Sequence, residues 1–355
     1  MAVSIRIGFA LFLEDSRPVA LSIKLPEMHR SMNRNQQAKS RTACPSHRSA
    51  LFWIGFSLSF LTLGCQPSKK QLPQKNVNSR PEVYVVNYPL EYMAKRIGGN
   101  EVEVIFPLPK DIDPAFWQAT SRVIAGFQKA DLILINGASY SKWLPTVSLP
   151  ESKQVDTSED FSDQFIEMEE SFVHQHGPAG EHSHVGTAFT TWLDFEQARL
   201  QAFAIKEGFK KLVPSKGGLF EENYKQLANE LNELDDGFKA AGKKLAGQPL
   251  VFSHPIYQYF SRRYGLNAKS VIWEPDVLPD EESISELEEL LVDHAARYLI
   301  WEDEPLEQTR GILAEKFEIQ CVVVCPCFNV RDGSVDWLET MKQNLKTFES
   351  LSHGE

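Results

Sequence analysis

The sequence has no apolar run long enough to cross a bilayer as a helix. ALFWIGFSLSFLTL, residues 50–63, is an uncharged apolar stretch of 14, where a spanning helix needs about 20. The chain is also short of base. Its 37 Lys+Arg face 48 Asp+Glu, a formal net charge of −11, which argues against nucleic acid and anionic ligands and is compatible with cations. Catalytic signatures are missing as well. GEHSH at 180–184 lacks the His-Glu-x-x-His spacing, and there is neither a Gly-x-Ser-x-Gly elbow nor a phosphate loop, so nothing supports catalysis. Cysteine is scarce, with five in 355 residues.

What is present begins with that short apolar stretch. Lys39, Arg41 and Arg48 precede it and Gly64-Cys65 follows it. A basic flank, a short apolar segment and a small residue at the cut site read as a secretory signal. LTLGC resembles the bacterial lipobox, which makes Cys65 the lipidated first residue of a mature, membrane-anchored extracytoplasmic protein; an ordinary secreted protein cut nearby is the alternative. Residues 1–64 are then removed, and 65–81 form a polar tether. The remainder carries 29 basic and 45 acidic residues, a charge of −16. Cys321, Cys325 and Cys327 stay behind, an odd number that leaves at least one without an intramolecular partner.

From residue 82 short apolar runs alternate with amphipathic segments. EVYVV (82–86), VEVIF (102–106) and DLILI (131–135) read as buried strands, as do PLVFS (249–253), KSVIW (269–273), RYLIW (297–301) and QCVVV (320–324). Helices are expected between them, with Ser121 an N-cap in the first half and Ser283-x-x-Glu286 a capping box in the second. Phe220, Tyr224, Leu227, Leu231, Leu234, Phe238, Ala241 and Leu245 form one apolar stripe over 218–245, a helix roughly 40 Å long. The expected fold is α/β. Two lobes, 82–216 and 248–355, each hold a mainly parallel sheet flanked by helices, and one long backbone helix within 217–247 joins them.

Four of the nine histidines lie in HQHGPAGEHSH, residues 174–184. His174/His176 and His182/His184 are two His-x-His pairs, and such a pair on an extended chain presents both side chains to one face. Gly177, Pro178 and Gly180 let the chain fold back, so the pairs become candidate metal pincers; a tract that gathers metal weakly is the alternative. His254, where a strand of the second lobe gives way to a helix, sits where open α/β sheets bind ligands, although a helix-capping histidine fits the same place. Glu274 and Glu302 also follow strands. Each can offer a carboxylate to the cleft or to a histidine's second nitrogen, or simply open the next helix. Cys325 ends a strand too, as a thiolate donor, a disulfide partner of Cys321, or a buried thiol.

Two such lobes behind a lipoprotein signal resemble the substrate-binding lipoproteins of zinc/manganese-type ABC importers. The stretches that carry the likeness are GNEVEVIFPLPKDIDPAFW, KADLILINGASYSKWL, TTWLD, SHPIYQYFSRRYGL, and CPCFN followed by WLETMKQNL. The resemblance implies four metal ligands. The third matches His254. The first falls on Ala115, the second on Thr190 and the fourth on Cys325, so the chain resembles a divergent branch in which the segment ahead of TTWLD could replace the missing histidines, His182 and His184 first. The implied function is capture of a divalent cation, Zn²⁺ before Mn²⁺ or another transition metal, in an interlobe cleft, and its delivery to an importer permease. The chain is expected to be a monomer, anchored through lipid, with no nucleic-acid partner. A tethered metal chaperone, a siderophore or corrinoid binder of the same fold, and a zinc-dependent enzyme are the other readings. Protons compete for imidazole nitrogen, so affinity should fall as the pH drops below about 6.

Overall fold

Alternating apolar residues build two sheets of the same plan. In the computed structural model, which describes residues 79–110, 112–168, 173–175, 181–183, 186–330 and 335–351, the first half runs β1 (Glu82–Val85), α1 (Tyr88–Gly98), β2 (Glu103–Ile105), α2 (Ser121–Lys129), β3 (Leu132–Ile135) and β4 (Gln154–Asp156). All pairings are parallel and the strand order is β2-β1-β3-β4. Two short antiparallel ladders follow, β5 (Glu167–Met168) with β8 (Gly186–Thr187) and, between them in sequence, β6 (Val173–Gln175) with β7 (Glu181–Ser183). The signal, Cys65, most of the tether, His176 and His184 lie outside the described residues.

Next come α3 (Phe195–Leu212) and α4 (Gly217–Lys244), then β9 (Pro249–Phe252), α5 (Gln258–Tyr264), β10 (Asn267–Ser270), α6 (Glu281–Asp293), β11 (Tyr298–Trp301), α7 (Glu307–Phe317), β12 (Gln320–Val323) and α8 (Trp337–Leu351). The second sheet is again all parallel, ordered β10-β9-β11-β12. Strand periodicity sorts its side chains between two cores. Leu250, Phe252, Tyr298 and Ile300 join the large core shared with α4 and α8, whereas Val251, Leu299 and Trp301 join a smaller one with Leu287 and Leu313 of α6 and α7. Among the described residues no helix is long and apolar enough to cross a membrane.

The long helix α4 buries Phe220, Tyr224, Leu227, Leu231, Leu234, Phe238 and Ala241, the stripe expected of it. That stripe packs on α1 and α3 of the first lobe and on α5 and α8 of the second, so one helix joins both lobes in the large core. Its neighbour α3 was not among the expected helices. Asp194 caps it, accepting from the Glu196 and Gln197 amides, and Phe195, Ala198, Ala202, Ile205 and Phe209 form its buried face.

Three local expectations shift. Thr120, not Ser121, caps α2, its hydroxyl accepting from the Val123 amide. Asp280, three residues ahead of the start expected at Ser283, caps α6, because its carboxylate takes both the amide and the hydroxyl of Ser283. β10 lies two residues before KSVIW, yet the pairing runs on past it, with the Val271 amide donating to Phe252 and the Trp273 amide to Ser253.

Candidate metal centre

A parallel sheet brings the carboxyl ends of all its strands to one edge. In the second lobe the residues just past those ends are Glu274 after β10, His254 after β9, Glu302 after β11 and Cys325 after β12, in that spatial order. Backbone bonds set the register. The Ser253 amide donates to Ile300 at 2.8 Å, and the Trp273 amide to Ser253 at 2.9 Å, so the residue before His254 is gripped by both neighbouring segments.

The outcome is an imidazole between two carboxylates. His254 Nε2 lies 3.2 Å from Glu274 Oε1, and Nδ1 lies 3.8 Å from Glu302 Oε1. His254 is only 1% exposed. One donor atom from each residue can be chosen so that all three lie within 4.8 Å of one another. Donors about 2 Å from a shared zinc ion stand at most about 4 Å apart, so a movement of under about 1 Å closes the set. One imidazole nitrogen and two carboxylate oxygens suit a divalent transition metal, with a fourth position left for another donor. The imidazole is buried and both carboxylates are partly so, a setting that favours a bound cation to compensate their charge.

Among the described residues this trio is the one cluster of its kind, and Cys325 does not belong to it. One strand further along, Cys325 is buried with Cys327 in the large apolar core, and its backbone is tied on both sides to Asn344. Cys321 is a free thiol, so the Cys321 disulfide, one of the alternatives for Cys325, is not formed; burial pushes the Cys321 thiol up. His294, outside this cluster, sits at the C-cap of α6 and hydrogen-bonds to the Leu250 carbonyl at 2.8 Å. In the histidine segment, β6 and β7 place His174 and His182 at paired register positions of one hairpin.

Among the described residues of the first lobe, the positions where the resemblance put the first two ligands bring the trio no donor. Ala115 is fully buried. The Thr190 hydroxyl donates to the Ile256 carbonyl. The cavity between the lobes at this point is about 10 Å³, lined by Lys142, Met168, Phe189, Thr190, Ile256 and Gln258, room for one water at most. Lys142 sits with its ammonium 5.2 Å from the Phe189 ring centroid, and burial lowers its pKa. A cation on that wall opposes a second one.

Two parallel α/β lobes on a shared helix, with an ion-sized donor set at one carboxyl edge, define a two-lobed binding protein. The family model described as ZnuA, zinc-uptake complex component A, periplasmic, matches residues 83–351, and the chain belongs to that family. The high-affinity zinc uptake system protein ZnuA of Bacillus subtilis is 24% identical over 312 residues, 84% of this chain and 95% of that protein. The zinc-binding protein AdcA of Streptococcus pyogenes is 24% identical over 296 residues, 78% of this chain but 58% of that longer protein. The Zn(II)-bound ZnuA-like domain of Streptococcus pneumoniae AdcA superposes with a TM-score of 0.65 at 18% identity, covering 78% of this chain and 100% of that one. That last likeness is one of fold.

Proposed function

We propose that this protein captures Zn²⁺ outside the cytoplasm and delivers it to the permease of an ABC importer. His254, Glu274 and Glu302 are the ligands. Membership of a zinc-uptake family supports the cargo, and the observation that carries the site is the convergence of these three residues from three adjacent strand ends. The proposed role is binding, not catalysis. A lipid on Cys65 tethers the chain to the membrane, where it acts as a monomer. His174, His176, His182 and His184 supply further imidazoles that gather metal near the cleft, and unchanged zinc uptake by His182→Ala/His184→Ala would remove them from this role. Two carboxylates per imidazole also suit Mn²⁺, which makes it the natural competitor.

The deciding experiment is zinc competition against a chromophoric chelator, for the wild-type protein and His254→Ala. One tight site, lost with the imidazole, is expected. Several weak sites indifferent to His254 overturn the assignment.

A further inference from the structure

We infer that Thr190 is the positioning residue of the metal centre, a first-lobe hydroxyl that sets His254 in place without touching the ion. The inference rests on the reading of His254, Glu274 and Glu302 as ligands.

His254 lies in a short turn between two anchors. On its amino side, Ser253 is held by the backbones of Ile300 and Trp273. On its carboxyl side, the Ile256 amide returns to the His254 carbonyl at 2.9 Å, closing the turn over Pro255. The Pro255 carbonyl accepts from the Gln258 side chain, and that of Ile256 is taken by Thr190, 66 residues away and on the other lobe. Thr190 is 3% exposed and Ile256 9%, so bulk water has little access to this bond.

Neighbouring contacts follow the same route. The Tyr259 hydroxyl donates to Ala188 at 2.9 Å and the Trp192 indole to Pro326 at 2.8 Å, both across the interlobe face. Thr190 alone among these donors reaches the turn that carries the imidazole. Removing its hydroxyl frees the Ile256 end of the turn, while Glu274 and Glu302 stay rooted on their own strands. The donor set then loosens without losing a ligand.

The test uses the purified full chain, with zinc affinity read by chelator competition and site geometry by the visible absorption of the Co²⁺ form. Thr190→Val keeps the shape and removes the donor. It should weaken zinc binding on the order of tenfold or more, the usual scale for groups that orient a ligand, and broaden the Co²⁺ bands. Thr190→Ser should restore both to within about twofold of wild type, since it keeps the hydroxyl donor. Thr191→Val is the control, because that buried hydroxyl has no hydrogen-bond partner, and it should change neither. Should Thr190→Val not fold, Thr190→Cys, with its weak S–H donor, should fall between wild type and that loss. Wild-type affinity in Thr190→Val or Thr190→Cys, or equal weakening by Thr190→Val and Thr191→Val, overturns the inference. A wild-type protein whose zinc binding ignores His254→Ala overturns the ligand assignment itself, and the positioning role with it.

Discussion

The two sheets share one strand plan and differ at their carboxyl edges. In the first lobe the edge holds Asn87 after β1, Asn136 after β3, and Thr157 and Ser158 after β4, all buried. They satisfy one another. Asn87 donates to the Asn136 side chain at 3.1 Å, Gln201 donates to Asn136 and Thr157 at 3.2 and 3.0 Å, and Asn136 donates to the Phe189 carbonyl at 3.0 Å. The matching edge of the second lobe carries an imidazole and two carboxylates instead. Neutral amides can be matched donor to acceptor and sealed, whereas carboxylates have no donors of their own and need a proton or cation to settle their charge. One edge is closed upon itself and the other is built to take something in.

Breaking that contrast most directly means removing the imidazole. His254→Ala should weaken zinc binding by at least about 100-fold, since loss of a ligand exceeds the 10–100-fold cost of disturbing its support, while the urea midpoint of the metal-free protein falls only modestly. Asn136→Ala, on the sealed edge, should do the opposite. It strands Asn87, Gln201 and the Phe189 carbonyl together, at a cost of about 2–3 kcal/mol, visible in urea unfolding, with zinc affinity per folded molecule falling far less than in His254→Ala. A large zinc defect in Asn136→Ala would show that the first edge is not inert.

Glu274→Gln and Glu302→Gln sharpen the comparison further. Each keeps the size of the side chain and removes one negative charge, and each should weaken zinc on the order of tenfold. Equal losses fit a shared ion, and a loss confined to Glu274 would mean that Glu302 only orients the imidazole. Raising the Mn²⁺ concentration should blunt the Zn²⁺ signal more in wild type than in either variant, because both have lost an oxygen donor that manganese prefers.

How much of this was legible before folding follows from where each signal sits. The strands were readable because LILI, PLVF and YLIW are uninterrupted apolar runs, and α4 because its stripe persists through 28 residues. β4 was not, since Gln-Val-Asp is three residues with one apolar member. α3 left a signal that could have been used, an Asp194 cap ahead of Phe195, Ala198, Ala202, Ile205 and Phe209. His254 was readable from its place at a strand end. Its pairing with both glutamates was not, because two of the three strands are brought together only by the β10-β9-β11 order. Thr190 was legible only as a missing histidine, since its bond to Ile256 spans 66 residues.

The smallest effect concerns the clamp behind the metal-bearing turn. Arg263 of α5 grips Asp235 of α4 through two bonds, at 2.9 and 2.7 Å, and reaches Asp194 at the start of α3 at 3.5 Å. Burial acts to raise the Asp235 carboxyl, but Arg263 and Lys239 outweigh it and hold it below the ordinary range. Burial prevails at Asp194, which is raised despite Arg263. The two acids therefore act with opposite sign. As the pH falls from neutral, Asp194 takes up its proton earlier in the folded state than in the unfolded one, which favours folding. Asp235 contributes stability that is complete above the unfolded value of about 3.9 and is lost as the pH falls through its lower folded value. Urea midpoints measured from neutral pH downward should thus hold or rise slightly and then drop below about pH 4. Asp235→Asn should lower the neutral midpoint and flatten the acid drop. A drop of unchanged steepness would place the acid sensitivity elsewhere, with the carboxylates of the metal edge the next to test.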